Sequence, residues 1–357
     1  MFKCSRRLTA LLMCVCLALT ACNVATDNPT PLSSTEDQLE DQYQPTADTV
    51  VMYVGDEPVY YNEFTYYFSS QVETYTATAE AQESGFDPNL PLNEQYYPDS
   101  ETTMEEIFWD IVSTDLQRFY AMCLEARANG FEMGDMERES IDAYFENLDA
   151  YTEQEGITDE QAFLYRYGVN MTREQMRDSL ERQLTGLAYE EYVRGITDYS
   201  DAELETYYQE HKEEVQVADC NTVSVRFISF SNQQMARDVL DKFESGDRSE
   251  DSFIELVQLY ATDEQDIENG GLYADLAPST YDISQFDEGE SWAFDSERKP
   301  GDYNIIPYDG GYDLAYFVKM GDPMWKNWSR YSLQNEVLQD IINRYPITYP
   351  SLTEAED

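Results

Sequence analysis

Residues 222–230 read TVSVRFISF. This is a strand run with Val and Ile alternation. Downstream, Met235 to Phe243 and Phe253 to Tyr260 carry apolar residues at helical spacing, and Gly270-Gly271 marks a turn. A loop containing Pro278 leads to the strand-like Tyr303-Asn304-Ile305-Ile306. Asp309-Gly310-Gly311 then turns the chain into a last strand, Tyr312 to Val318. The order strand, two helices, strand, strand describes an α+β domain of about 105 residues, placed at 214–322.

Upstream the pattern is helical. Val50 to Val54 and Val59-Tyr60 are two short strands around the turn Gly55-Asp56-Glu57-Pro58, and Asn62 is read as the cap of a helix beginning at Glu63. Thr102 with Glu105 reads as a capping box ahead of an apolar stripe running from Ile107 to Leu124, with Gly130 as its stop. Thr158 with Gln161, Thr172 with Gln175 and Ser200 with Glu203 signal three more helix starts. Residues 49–213 are therefore expected to form a mostly helical domain. Residues 323–357 contribute a final amphipathic helix, at about 325–345, which must pack on something to bury its apolar side.

The chain begins with Lys3, Arg6 and Arg7, an apolar run from Leu8 to Leu19, and Thr20-Ala21-Cys22. This is the layout of an export signal, residues 1–21, and the run is too short for a stable membrane span of about 20 residues. The string LTAC resembles a bacterial lipobox, which implies cleavage before Cys22 and acylation of its thiol. Residues 22–48 follow as a tether rich in Thr, Ser, Pro and Asp, without an apolar period. Its r.m.s. reach is about 28 Å. The expected location is the outer face of the cell membrane, held by lipid.

The 357 residues carry 72 acidic and 22 basic side chains, a formal charge of −50. Removing residues 1–21 leaves 19 basic residues and a charge of −53. Nucleic acid is excluded as a partner, because a phosphate backbone is met by Lys and Arg. Loss of Cys4, Cys14 and Cys16 with the signal leaves Cys123 and Cys220 besides Cys22, so no disulfide framework exists, while a single Cys123–Cys220 bridge stays open. Cys123 falls on a helical apolar stripe and reads as a small buried hydrophobe.

The opening VVMYVGDEPVYYNEFTYYF resembles the start of the helical chaperone domain of PrsA- and SurA-type extracytoplasmic foldases. The junction YSDAELETYYQEHKEE is similar to their entry into a parvulin-type peptidyl-prolyl isomerase domain. The succession VSVRFISFS, FIELVQLYATD, NGGLYADL, WAFDSERKPGD and GGYDLAYFV follows the parvulin layout, which implies a small antiparallel sheet flanked by helices. The resemblance covers nearly the whole chain after the signal. It implies a folding factor without cofactor or metal, with unfolded or nascent secreted polypeptides as partners and a final helix folded back on the chaperone domain.

A parvulin seats proline in an apolar pocket and lowers an isomerisation barrier of about 18–20 kcal/mol. By resemblance Phe294 matches a pocket wall, Phe286 a second wall, Asp263 the acidic or thiol position, and Gly270-Gly271 the structural turn. The two family histidines are replaced. The strand motif Arg-His-Ile-Leu reads Arg226-Phe227-Ile228-Ser229, and the closing Gly-Tyr-His reads Gly311-Tyr312-Asp313. Phe227, Tyr312 and Asp313 therefore join the candidate pocket, either as a degenerate domain retained for binding or as an isomerase working through an apolar pocket alone. A buried Asp313 requires a backbone, hydroxyl or water partner, or a proton. The single histidine, His211, is expected on a solvated helix face.

Twenty-nine tyrosines admit two readings, an aromatic cleft that holds polypeptide in the helical domain or ordinary core and surface filling. The carboxylates of residues 263–271 lack calcium-loop spacing. A rival function of another class is a non-catalytic surface lipoprotein that binds a specific envelope partner or a solute.

Overall fold

The computed structural model describes residues 46–98 and 100–350. The export signal, Cys22 and nearly all of the tether lie outside the described residues. Among those described, no helix is long and apolar enough to cross a membrane. Two compact units divide the chain.

The first unit contains residues up to 197 and those from 335 onward. Strands β1 (Val50–Val54) and β2 (Glu57–Tyr60) form a hairpin. Six helices follow: α1 (Tyr61–Thr76), α2 (Ala79–Ser84), α3 (Met104–Ala128), α4 (Asp135–Glu155), α5 (Asp159–Tyr167) and α6 (Arg173–Ile196). One apolar cluster joins α1, α4, α5 and α6 through Tyr66, Phe145, Phe163, Met176 and Leu180. Another packs Met52, Val54 and Val59 on Phe64, Val112 and Leu116. Gly186 lets α6 approach α3 closely, since a Cβ there would meet the Phe119 carbonyl oxygen at 3.0 Å. Leu338 and Ile341 bury against Met122, Ala126 and Val193. Strand β7 (Ile347–Thr348) then pairs antiparallel with β1, giving the order β2-β1-β7.

Local start signals act as their chemistry requires. Thr158, Thr172 and Ser200 each accept from the backbone N–H three residues on, and Gln161, Gln175 and Glu203 close the boxes. Two expectations shift. The box ahead of α3 is Thr103 with Glu106, one residue later than read. Helix α1 begins at Tyr61, so Asn62 lies inside it, buried, its Oδ1 accepting from Glu63 N at 2.8 Å.

The second unit runs from Asp198 to Gln334. It starts before α7 (Asp201–His211), so this helix stands with the sheet-bearing unit rather than with the helical one. Strands β3 (Asn221–Phe230), β4 (Leu272–Leu276), β5 (Tyr303–Tyr308) and β6 (Gly311–Pro323) make an antiparallel sheet of order β4-β3-β6-β5. Helices α8 (Gln233–Ser245) and α9 (Glu250–Tyr260) cover one face, where Ile228, Phe230, Leu314 and Tyr316 meet Val239, Phe243, Phe253 and Val257. The other face carries Val223, Val225, Phe227, Ala315 and Phe317, and the short α11 (Glu288–Ala293) closes it with Trp292 and Ala293. Between α9 and β4 lies α10 (Glu264–Asn269). Phe253 and Phe317 are wholly buried, each contributing about 1.5–3 kcal/mol. Helix α12 (Met324–Asn343) begins in this unit.

Ring contacts clasp α7 to the start of α12 within the second unit. His211 stacks on Tyr207 with ring centroids 4.2 Å apart, Tyr207 lies 5.6 Å from Trp328, and Tyr208 lies 5.6 Å from Trp325. His211 is therefore a half-buried packing residue rather than a solvated one, its Nδ1 2.8 Å from the Tyr207 carbonyl oxygen.

Candidate functional site

The pairing of β3 with β6 builds the site. Their register sets Phe227 opposite Ala315 and Ser229 opposite Asp313. Side chains two apart share a face, so Asp313 and Ser229 stand at the end of the apolar face floored by Phe227 and Phe317. Ser229 Oγ donates to Asp313 Oδ1 at 2.6 Å. Burial raises the Asp313 carboxyl above the usual range, the Ser229 hydrogen bond lowers it in part, and the nearby Asp266 charge raises it further.

Phe227 is 7% exposed and Phe294 is 8% exposed. Tyr273 meets the Phe227 ring edge-on at 5.6 Å, and its hydroxyl donates to Asp266 Oδ1 at 3.0 Å. Phe286, half-buried, packs on Phe294 with centroids 5.6 Å apart. The loop beside them is pinned at two points. Ser279 N donates to the buried Glu290 carboxylate at 2.6 Å, and the Arg298 guanidinium lies 4.7 Å over the Trp292 ring. Phe227, Phe286 and Phe294 thus belong to one cluster, whose partly exposed rim includes Tyr273, Phe286 and Met320.

Gly270 and Gly271 fit the turn physically. Both have positive φ, 67° and 68°, and a Cβ on Gly271 would come within 2.6 Å of the Phe227 carbonyl oxygen. Phe227 N donates to Gly271 O at 3.0 Å. The glycine pair therefore brings the start of β4 directly onto β3 at Phe227.

Two candidates stand elsewhere. Asp263 is an exposed N-cap of α10, accepting from Gln265 N at 2.9 Å and Asp266 N at 3.3 Å. The carboxylate that approaches Asp313 is Asp266, three residues on. Tyr312 packs with the cluster under α8 and α9, on the opposite face of the sheet from Phe227. Sequence reading missed Ser229, Asp266 and Tyr273. Ser229 was accessible through the two-residue period from Phe227, whereas the other two depend on how α10 and β4 fold over the sheet.

The site contains no imidazole, and its hydroxyls are committed to carboxylates. Among the described residues no group of three or more His, Cys, Asp or Glu side chains could hold a metal ion. Cys123 and Cys220 are both free, Cys123 buried on α3. What the face offers is apolar and aromatic contact at its rim, with carboxylates at one end.

No family model matches the chain, and no curated protein matches it. Among solved structures it is similar to PrsA from Bacillus subtilis, at 17% identity over 75% of this chain and 94% of that one, with a TM-score of 0.35. It is similar to the foldase protein PrsA from Streptococcus pneumoniae at 17% identity, covering 71% of this chain and 92% of that one, with a TM-score of 0.31. A SurA-like chaperone of Campylobacter jejuni shows 12% identity over 84% and 98% of the two chains, with a TM-score of 0.26.

Proposed function

We propose that the protein is a lipid-anchored extracytoplasmic folding factor, tethered through Cys22, that binds unfolded secreted polypeptides and does not isomerise proline. The observation that carries this reading is the state of the sheet face. Phe227 fills the floor against Tyr273, and the Ser229–Asp313 hydrogen bond closes its end where the parvulin resemblance places a second histidine. A prolyl ring would have to displace a buried phenylalanine. The rim of Tyr273, Phe286 and Met320 supports binding by contact, without bond rotation.

The net charge of −53 left after residues 1–21 are removed supports the same reading through solubility, keeping a tethered chain apart from an anionic surface. The test has two arms on the whole chain. A proline-isomerisation assay on a short peptide should give no rate above background, and a reduced, unfolded client should aggregate more slowly in its presence. Catalysis lost in a Phe294→Ala variant would refute the non-catalytic reading. Tight binding of one folded partner or solute, with no effect on aggregation, would instead establish the rival lipoprotein function.

A further inference from the structure

A cavity of about 450 Å³ opens in the helical unit between α3, α4 and α6. Its floor is Cys123 and Arg182. The Cys123 thiol is buried, and burial raises its pKa, so it stays neutral. Arg182 is held in place on two sides, its guanidinium 4.1 Å over the Tyr120 ring and ion-paired with the buried Glu63. Phe131 and Met133 supply an apolar wall.

The rim carries charges of both signs, from different helices. Asp178 and Glu181 stand on α6, three residues apart and therefore on one helix face. Neither makes an ion pair or a side-chain hydrogen bond among the described residues. Arg127 from α3 is 64% exposed, and among the described residues its one ion-pair partner is Glu57, at 3.8 Å. Arg138 from α4 is 47% exposed, and its two acidic partners, Asp135 and Glu132, the latter also lining the cavity, are 94% and 87% exposed. Exposed pairs of this kind are worth little, about 0–1 kcal/mol, so both guanidiniums are available to a better-placed carboxylate.

We infer that this cavity binds a short peptide with both termini free, its ammonium on Asp178 and Glu181, its carboxylate on Arg127 and Arg138, and an apolar side chain against Phe131 and Met133. The size agrees, since small-ligand pockets span about 300–1,000 Å³. Carboxylate recognition by guanidinium is charge-assisted and directional. Arg182 is not a ligand group here, because Glu63 already neutralises it; it closes the floor. This inference does not rest on the sheet face or on polypeptide holding.

The test is calorimetric titration of the whole chain with Ala-Phe-Ala carrying free termini, beside the same tripeptide acetylated at its N-terminus or amidated at its C-terminus. The free tripeptide should saturate one site, and each blocked form should bind about tenfold more weakly. Asp178→Asn with Glu181→Gln should reproduce the loss for the free peptide and abolish the difference between free and acetylated forms. These substitutions lie at the rim, so circular dichroism should be unchanged. No saturable heat with the free tripeptide, or equal affinity for free and blocked forms, overturns the proposal. Because the readout is binding of a small peptide, it is separate from aggregation suppression, which the Asp178/Glu181 variant should leave unaltered.

Discussion

Replacing Phe227 with alanine tests whether the sheet face is a filled core or an open pocket. The side chain is 7% exposed and belongs to a cluster with Val225, Trp292, Phe294 and Phe317. Its ring meets Tyr273 at 5.6 Å. Truncating a phenylalanine in such a site removes its transfer free energy and leaves a cavity, together about 3–5 kcal/mol. For a unit of this size 3 kcal/mol corresponds to a fall in Tm of about 10 °C. A phenylalanine at the lip of an open pocket would cost only about 0.5 kcal/mol, as surface changes do. The assay is urea unfolding of the whole chain with hydrogen exchange read on peptides from β3 and β6, which separates this unit from the helical one. Phe227→Leu, which keeps most of the volume, should cost about 1.5 kcal/mol or less. A Phe227→Ala variant within about 0.5 kcal/mol of the parent would refute the filled-face argument and with it the reason for excluding proline.

Two further outcomes follow from buried charge. Glu63 accepts from Tyr120 Oη at 2.6 Å and Ser179 Oγ at 3.0 Å and is ion-paired with Arg182. Glu63→Ala, which strands the guanidinium, should destabilise the helical unit by about 3–5 kcal/mol. The double change Glu63→Leu with Arg182→Met should recover most of this, and hydrogen exchange in α1, α3 and α6 would show whether it does. The carboxyl of Asp313 is raised in the folded state by burial. Just above the ordinary carboxyl range, about 3.9 for an aspartate, the native state retains a proton that the unfolded chain has released. Stability from this group is therefore fullest below that value and is lost as pH rises through the folded pKa. Asp313→Asn should remove that downward slope from the pH profile of the sheet-bearing unit, and an unchanged profile would show that the group does not titrate as described.

The parts of this protein legible in its sequence are those set within a few residues. Capping at Thr158, Thr172 and Ser200 needs only a hydroxyl and an acceptor three positions on, and all three helices start there. Where two candidates adjoin, as with Thr102 and Thr103, local chemistry alone does not choose, and the packing of Met104 and Phe108 does. Asn62 had the chemistry of a cap, yet the hairpin delivers the chain already helical at Tyr61. The period-two rule also bears on Tyr312 and Asp313, since neighbours on a strand point to opposite faces; both could not enter one pocket, and Tyr312 is the one that does not.

The sequence by itself determined the alternation of β3, the helix starts, the charge, and the absence of histidine at two positions, because each is a property of single residues or short spacings. Only the tertiary structure decided what took their place. Asp266 rather than Asp263 approaches Asp313, Tyr273 rather than Tyr312 abuts Phe227, and Ser229 partners Asp313 across 84 residues of chain. Such contacts are set by strand register and by the positive-φ glycine turn that lays β4 on β3. They come into being only when segments far apart in sequence pair, which no local pattern encodes.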